Sequence, residues 1–444
     1  MIRRVLGTQF RRNVAAGPVS ALLNTGVLFL GYPVYLRALG YDRYGVWLVL
    51  STVLSFVQLT NLGVGPAVQR LVAAGHARSL RDDVESAVAT SIALVVASGI
   101  LACVILYACR GLVVSSFRLE GEHATEVLSL LPWIGVLSVY AFVVQTYTAT
   151  LAGLGRMDLS SYADTIGRAA GFIASVTMLW AGAGVVSLLV GGFVSQCLTH
   201  LVSAWSIRAT ASLRLWRISS ISGSRAREVL SMAGPLLGSS AVALLLHPFN
   251  RFAVARWGGV AAVPVYEIGF GAAMQLRGLA DAALRAISPE VSRKVAENSV
   301  AGMAGARRLV RQALMGILQF GGPAWLLAGV IAPTAMRVWL QARFNPDIAT
   351  AFQVLLVGSY LGLLGAPAYY LLLGLGRASK ILMANLVQSG VNVLGVLVLV
   401  AAGLSIDGRL AAVAAAIGMV SGNIYLMASL RSVDRTVEPR GDLA

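Results

Sequence analysis

Charged residues are scarce in this sequence. They make up 12% of the 444 residues, whereas hydrophobic residues make up 57%. Soluble domains carry about 25% charged residues, so this composition excludes an ordinary soluble protein. Several apolar runs are long enough to cross a bilayer, which takes roughly 20 residues. The sequence therefore predicts an all-α polytopic membrane protein.

Cysteine and histidine are also rare. The chain has three cysteines and four histidines, and Cys103, Cys109 and Cys197 lie in or beside apolar segments without a metal-ligand spacing. These residues argue against a disulfide framework, and we expect neither a metal nor another cofactor. No Gly-Lys-Ser/Thr sequence of a phosphate-binding loop occurs, so the sequence does not support ATP-driven export.

Acidic residues are outnumbered by basic ones. The 19 Asp and Glu face 35 Lys and Arg, which gives a net charge of +16. In a soluble chain this excess would suggest a nucleic-acid partner. In an apolar chain it is typical of arginine on cytoplasmic loops, so we expect no nucleic acid and expect the basic loops to contact anionic membrane lipids.

Twelve apolar stretches are candidate membrane-spanning helices. They cover residues 14–36, 45–69, 86–109, 127–152, 162–181, 184–207, 229–250, 262–290, 309–332, 351–373, 380–403 and 410–430. With the N-terminus inside, 24 Lys and Arg fall on cytoplasmic stretches and nine on outer ones. Because Lys and Arg concentrate on cytoplasmic loops, both termini are predicted to lie inside (N-in/C-in).

The chain repeats itself at a distance of 221 residues. The sequence LAGLGR at 151–156 recurs as LLGLGR at 372–377, and each copy closes a predicted span. Such a repeat indicates two homologous lobes of six helices, related by an axis along the membrane normal. The predicted domains are an N-terminal lobe at 1–208, a basic cytoplasmic linker at 209–228, a C-terminal lobe at 229–434 and a cytoplasmic tail at 435–444.

The eighth predicted span carries an unusual stripe of charge. Arg277, Asp281 and Arg285 follow one another at intervals of four residues, so they share one helical face. A charge at bilayer depth is costly and faces protein or water. The stripe is net positive, which favours a hydrated cavity that meets an anionic substrate. The alternative is an internal ion-pair ladder that pins two helices together.

Two stretches near the N-terminus carry a family resemblance. The sequences LFLGYPVYLRALGYDRYGVW at 28–47 and LTNLGVGPAVQR at 59–70 resemble the opening of polysaccharide flippases of the Wzx type. These flippases belong to the superfamily that also contains multidrug extruders and lipid II flippases (the multidrug/oligosaccharidyl-lipid/polysaccharide, or MOP, exporters). The repeated Gly-Leu-Gly-Arg sequence fits the same family.

The resemblance implies a fold and a function. Such proteins have two six-helix lobes in a V and alternate between inward-open and outward-open states. They move undecaprenyl-diphosphate-linked oligosaccharide across the bacterial inner membrane for export of O-antigen, capsule or exopolysaccharide, driven by an ion gradient or the membrane potential. The implied partners are the lipid-linked glycan, H⁺ or Na⁺, and a polysaccharide polymerase or assembly complex.

The substrate and coupling sites follow from the same reasoning. Arginine suits phosphate oxygens, so Arg277 and Arg285 are the first candidates for diphosphate contact. Arg70 and Arg251 are the second, although both could simply reach to the membrane interfaces. Relatives often carry an acidic residue where this chain has Asn250, which moves the expected coupling group to Asp281 or Glu267. Candidate polar residues for the glycan are Asn24, Gln58, Asn61, Gln145, Gln275, Gln388 and Asn392.

Two other functions remain open. A cation-coupled drug extruder of the same superfamily would need buried carboxylates, which are few in the predicted spans. A membrane enzyme of glycan assembly would show a long outer loop folded around its catalytic residues, and this chain has none, so we expect no enzyme activity.

Overall fold

A computed structural model describes the backbone of residues 2–61, 63–213, 220–285, 291, 293–294, 300–375 and 377–437. Within these residues the chain is helical, without β-strands. It divides into two compact units, Met1–Ala241 and Val242–Ala444. The all-α membrane fold predicted from the sequence is confirmed.

The first unit is built mainly from seven helices and the start of an eighth. They are α1 (Ile2–Val57), α2 (Val64–Ala77), α3 (Arg81–Ala108), α4 (Arg110–Ser116), α5 (Gly121–Gly153), α6 (Met157–Trp180), α7 (Val186–Ala211) and α8 (Gly223–Leu244). The backbone of α1 turns at Gly40, whose φ of 71° suits glycine. This turn separates the first two predicted spans.

The second unit continues from the end of α8. Its helices are α9 (His247–Gly258), α10 (Val263–Arg285), α11 (Val300–Gly316), α12 (Gly322–Leu340), α13 (Pro346–Leu363), α14 (Ala366–Gly374), α15 (Ala378–Ala401) and α16 (Gly408–Val437). A π-helical turn at Ile317–Gly321 joins α11 to α12. Helix α13 packs against α10, α12 and α16, and α15 packs against α16.

Eight helical stretches within the described residues are long and apolar enough to cross a membrane. They account for nine of the twelve predicted spans, because Ser20–Val57 covers the first two. The other three predicted spans form α6, α8 with α9, and α10, which carry more polar side chains. Charged residues within these helices, such as Asp164 and Glu267, lower their hydropathy.

Close glycine contacts hold α6 against α7. A Cβ added to Gly171 would lie 2.5 Å from the Gly191 carbonyl oxygen, and one added to Gly167 would lie 2.5 Å from the Ser195 carbonyl oxygen. Small residues allow helix backbones to approach this closely, which is how helices pack in lipid without a hydrophobic driving force. The glycines of the fifth and sixth predicted spans therefore serve packing.

The segment between α7 and α8 is tied to α3 by polar contacts. Arg225 bonds Asp83 at 2.7 Å and Glu228 at 2.8 Å, and both carboxylates raise the pKa of Arg225. Arg81 donates to the carbonyl oxygens of Ala211 and Ser212. These contacts fix both ends of a basic connection whose middle, residues 214–219, lies outside the described residues.

Candidate functional site

A helix break in the second unit borders a cavity with polar side chains in its walls. Helix α13 ends at Leu363 and α14 begins at Ala366, with Pro367 in its first turn. Proline lacks the N–H that would continue the helix. At the break, the side chain of Asn423 in α16 donates to the Leu361 carbonyl oxygen, which compensates one backbone group that the break releases.

The cavity beside this break has a volume of about 470 Å³. Its walls come from α10, α14, α15, α16 and the end of α13. The polar side chains among its lining residues are Arg277, Asp281, Tyr369, Tyr370, Asn385, Gln388 and Asn423. Gly365 and Ala366 also line it, so the N-terminal end of α14, where helix dipoles are positive, borders the same space.

Arg277 and Asp281 form the charged wall of the cavity. The Arg277 Nε lies 3.6 Å from Asp281 Oδ2, one helical turn along α10. Both side chains keep about a quarter of their surface exposed, and the Arg277 guanidinium lies against Gly362. A pair this long leaves the guanidinium able to bind a second anion. The side chain of Arg285 lies outside the described residues.

A second ionic cluster lies on α9 and α10, away from the residues that line this cavity. Arg251 Nε donates to Glu267 Oε2 at 2.6 Å, and His247 Nε2 lies 3.3 Å from the same oxygen. Glu267 is 8% exposed, and the His247 ring stacks on Phe270 at 4.0 Å. Arg251 is therefore matched by a carboxylate from a neighbouring helix, and the two charges cancel.

Asparagine side chains secure the junction of α8 and α9. Asn250 and Asn392 exchange two hydrogen bonds of 3.0 Å, and Asn392 also donates to the Leu245 carbonyl oxygen. Asn250 donates in addition to the Tyr266 hydroxyl. Asn392, a candidate for glycan contact, is fully buried and does not line the cavity beside α14.

Three of the remaining candidates in the first unit, Asn24, Asn61 and Gln145, take part in two hydrogen-bonded pairs. Asn61 donates to Gln145 at 2.5 Å, and Asn24 donates to Asp164 at 3.3 Å. Gln58 and Arg70 are exposed.

Two glutamine candidates lie in the second unit. Gln388 lines the cavity beside α14, whereas Gln275, on α10, does not line it.

Sequence reasoning missed four polar side chains of the cavity. Tyr369, Tyr370, Asn385 and Asn423 lie in predicted spans without a charged neighbour to mark them. The signal that could have found them is the Gly-Ala-Pro sequence at 365–367, since an interrupted apolar segment indicates a binding site in transporters.

Among the described residues, no group of three His, Cys, Asp or Glu side chains could hold a metal ion.

Solved structures share this architecture over nearly the whole chain. An inward-facing multidrug resistance MATE family transporter of the MOP superfamily has a TM-score of 0.73 at 15% identity, with 94% of this chain and 99% of that chain covered. The lipid II flippase MurJ, in an inward closed conformation, has a TM-score of 0.72 at 12% identity, covering 94% and 87%. A MOP superfamily transporter from Pyrococcus furiosus has a TM-score of 0.60 at 13% identity, covering 96% of each chain.

These likenesses define the class: the chain is a multi-pass membrane protein with the fold of MOP superfamily transporters. No curated protein matches it closely. The family described as polysaccharide biosynthesis protein matches residues 10–294, more than half of the chain, and the protein belongs to that family.

Proposed function

We propose that this protein moves undecaprenyl-diphosphate-linked oligosaccharide from the cytoplasmic to the outer leaflet of a bacterial inner membrane, by alternating access, for polysaccharide export. The family and the transporter fold support this function. The observation that carries it is the cavity of the second unit, where Arg277 and the N-terminal end of α14 meet. Both line this cavity, and both favour a negatively charged group.

The size of the cavity limits what it holds. Ligand pockets of 300–1,000 Å³ suit a group of drug-like size, so about 470 Å³ accommodates the diphosphate and adjacent sugar but not a long glycan. In this proposal Arg277 binds a phosphate oxygen, while Tyr369, Asn385 and Gln388 meet sugar hydroxyls. Arg285, Arg70, Arg251 and the polar residues of the first unit stay secondary candidates.

Asp281 is the coupling group in this proposal. It lines the cavity and pairs loosely with Arg277, whereas Glu267 is already bound by Arg251 and His247. Uptake of H⁺ or Na⁺ at Asp281 would release Arg277 toward the substrate, because a neutralised carboxyl group no longer attracts the guanidinium. Asp281→Asn should therefore bind lipid-linked glycan but lose the dependence of transport on the ion gradient.

The test is a deletion strain complemented with variants. Mass spectrometry quantifies the lipid-linked glycan, and a periplasmic glycan-modifying probe reports which leaflet holds it. We expect Arg277→Ala to accumulate complete glycan out of the probe's reach at normal protein level, with partial rescue by Arg277→Lys. Arg110→Ala is the matched control, since Arg110 lies over the Tyr107 ring in the first unit. Normal export with Arg277→Ala would reject this substrate site.

A cation-coupled drug extruder is the second candidate. It is supported by the likeness to a multidrug resistance transporter and by the carboxylate of Asp281 in the cavity. In that case the deletion strain would become sensitive to cationic drugs while its glycan lipids turn over normally. The stripe of Arg277, Asp281 and Arg285 has two arginines and one carboxylate in sequence, which favours the anionic substrate.

A further inference from the structure

A second polar surface of the second unit lies on α11, apart from the cavity beside α14. One face of α11 is packed: Ala306, Leu309 and Val310 contact Leu371 and Leu375 at the end of α14. The opposite face carries Arg308, Arg311, Gln312 and Met315, all exposed. Helix α11 is therefore amphipathic, with its cationic side away from the core.

Among the residues that the structure describes, the cations of this face cluster without a carboxylate beside Arg308 or Arg311. The sequence of α11 contains no Asp or Glu. Lys294 adds a third cation, because its ammonium lies beside Gly305, one turn before Arg308. Clustered cations without carboxylates attract an anion.

An apolar surface continues from this cluster along the same helix. An open cavity of about 530 Å³ is lined by Arg308, Arg311, Gln312, Met315, Gln319 and Phe320. Phe320 is 77% exposed, and Leu326, Leu327 and Val330 follow in α12 with 60–70% exposure. From Arg311 to Phe320 the helix rises about 13 Å. This distance is similar to that between the headgroup of a lipid and its acyl chains.

The length of this helical stretch places the cluster at the membrane surface. The candidate span Ala301–Arg343 has 43 residues, about twice what a bilayer requires. The end that carries Arg308 and Arg311 therefore lies at or beyond the interface, on the side predicted to be cytoplasmic. Phosphate oxygens would meet the guanidinium groups there, and acyl chains would follow the apolar side chains toward the bilayer centre.

We propose that this face of α11 is a binding site for an anionic phospholipid of the inner leaflet. The lipid phosphate binds Arg308, Arg311 and Lys294, and the acyl chains lie along Met315, Leu318 and Phe320. Because the other face of α11 packs on α14, the bound lipid stabilises the helix whose first turn borders the substrate cavity. This site does not depend on which substrate the cavity takes.

The test uses the full-length protein in detergent, with phosphatidylglycerol as probe and phosphatidylcholine as the zwitterionic comparison. Native mass spectrometry counts bound lipid, and a thermal melt measures stabilisation. The double variant Arg308→Gln/Arg311→Gln should bind phosphatidylglycerol roughly 30-fold more weakly, from the attraction of two cations for anionic lipid. The control Arg110→Gln/Arg118→Gln removes the same charge elsewhere and should bind as the wild type does.

Equal phosphatidylglycerol binding by the wild type and the Arg308/Arg311 double variant would overturn the proposal. If the double variant fails to fold, Gln312→Glu tests the same site, since a carboxylate there should weaken binding without removing an arginine. Undecaprenyl phosphate is added in a separate arm. Displacement of phosphatidylglycerol by an equal concentration of this carrier would assign the site to the carrier and reject the phospholipid.

Discussion

Asn250 and Asn392 bind each other through both of their side-chain amides, with two hydrogen bonds of 3.0 Å between α9 and α15. This reciprocal pair lies beside the point where α8 ends and α9 begins. Asn392 also donates to the Leu245 carbonyl oxygen, and Ser389 to that of Val242. The end of α8 is therefore held by side chains of α15, because no water replaces lost backbone partners in lipid.

Asn392→Ala should destabilise the protein by about 2–3 kcal/mol, because the Asn250 amide oxygen and the Leu245 carbonyl oxygen each lose the hydrogen bond that they accept from Asn392. A thermal melt of the purified protein measures the loss. Ser389→Ala removes a single donor and should cost about 1 kcal/mol. An unchanged melting temperature in Asn392→Ala would show that the amide pair does not hold the junction.

Glu267→Gln should destabilise the protein by about 3 kcal/mol, since it removes the carboxylate that pairs with the half-buried Arg251. Arg251→Gln should cost a similar amount, whereas the double variant should lose much less than the sum. A double-mutant cycle on the melting transition gives the coupling energy. If the loss of stability in the double variant equals the sum of the two single losses, the coupling energy is zero and the ion pair does not stabilise the protein.

Arg156→Ala should act on folding and not on transport. Arg156 bonds Asp158 at 3.1 Å, and Asp158 is 3% exposed, so the variant removes the ion-pair partner of a buried carboxylate at a cost of about 3 kcal/mol. The expected result is a lower amount of protein in the membrane, with normal export per molecule. Arg168→Ala, which breaks the exposed pair with Asp164, should cost under about 1 kcal/mol.

Gly362→Ala should displace the Arg277 side chain. A Cβ at this position would lie 3.0 Å from Arg277 Nη1, a contact that a flexible side chain relieves by moving. We expect roughly a tenfold loss of glycan export at nearly normal stability, because a misplacement of about 1 Å can cost roughly 100-fold and Arg277 needs to move by less than that. The control in the same export assay is Gly390→Ala, because a Cβ added to Gly390 would have no atom within 4 Å.

Much of the fold was predictable from the sequence, because long apolar runs allow little but helices in a bilayer. Pro367 indicates an interruption of the tenth predicted span, but the sequence does not indicate which side chains line the cavity beside it. Residues 351–373 form one continuous apolar stretch, and the related helix α5 stays unbroken although it contains Pro132. The internal repeat therefore does not predict the break, because the first copy, α5, is continuous where the second copy is divided into α13 and α14.

The candidate site was predictable where charge marks it. Arg277 and Asp281 lie on one face of α10, as their spacing indicates. The partner of Arg251 was not predictable, because Glu267 lies on the next helix and only tertiary packing brings them together. Uncharged wall residues such as Asn385 and Asn423 were missed because amides in an apolar helix also serve ordinary packing.

The pairing of Arg251 with Glu267 has an electrical consequence. The membrane voltage acts on net charge, at about 2.3 kcal/mol per elementary charge per 100 mV. Because the two opposite charges lie 2.6 Å apart at Nε and Oε2, the voltage exerts almost no net force on them when they move together. Any voltage dependence of transport would have to come from charges that travel unaccompanied, such as those of the substrate itself.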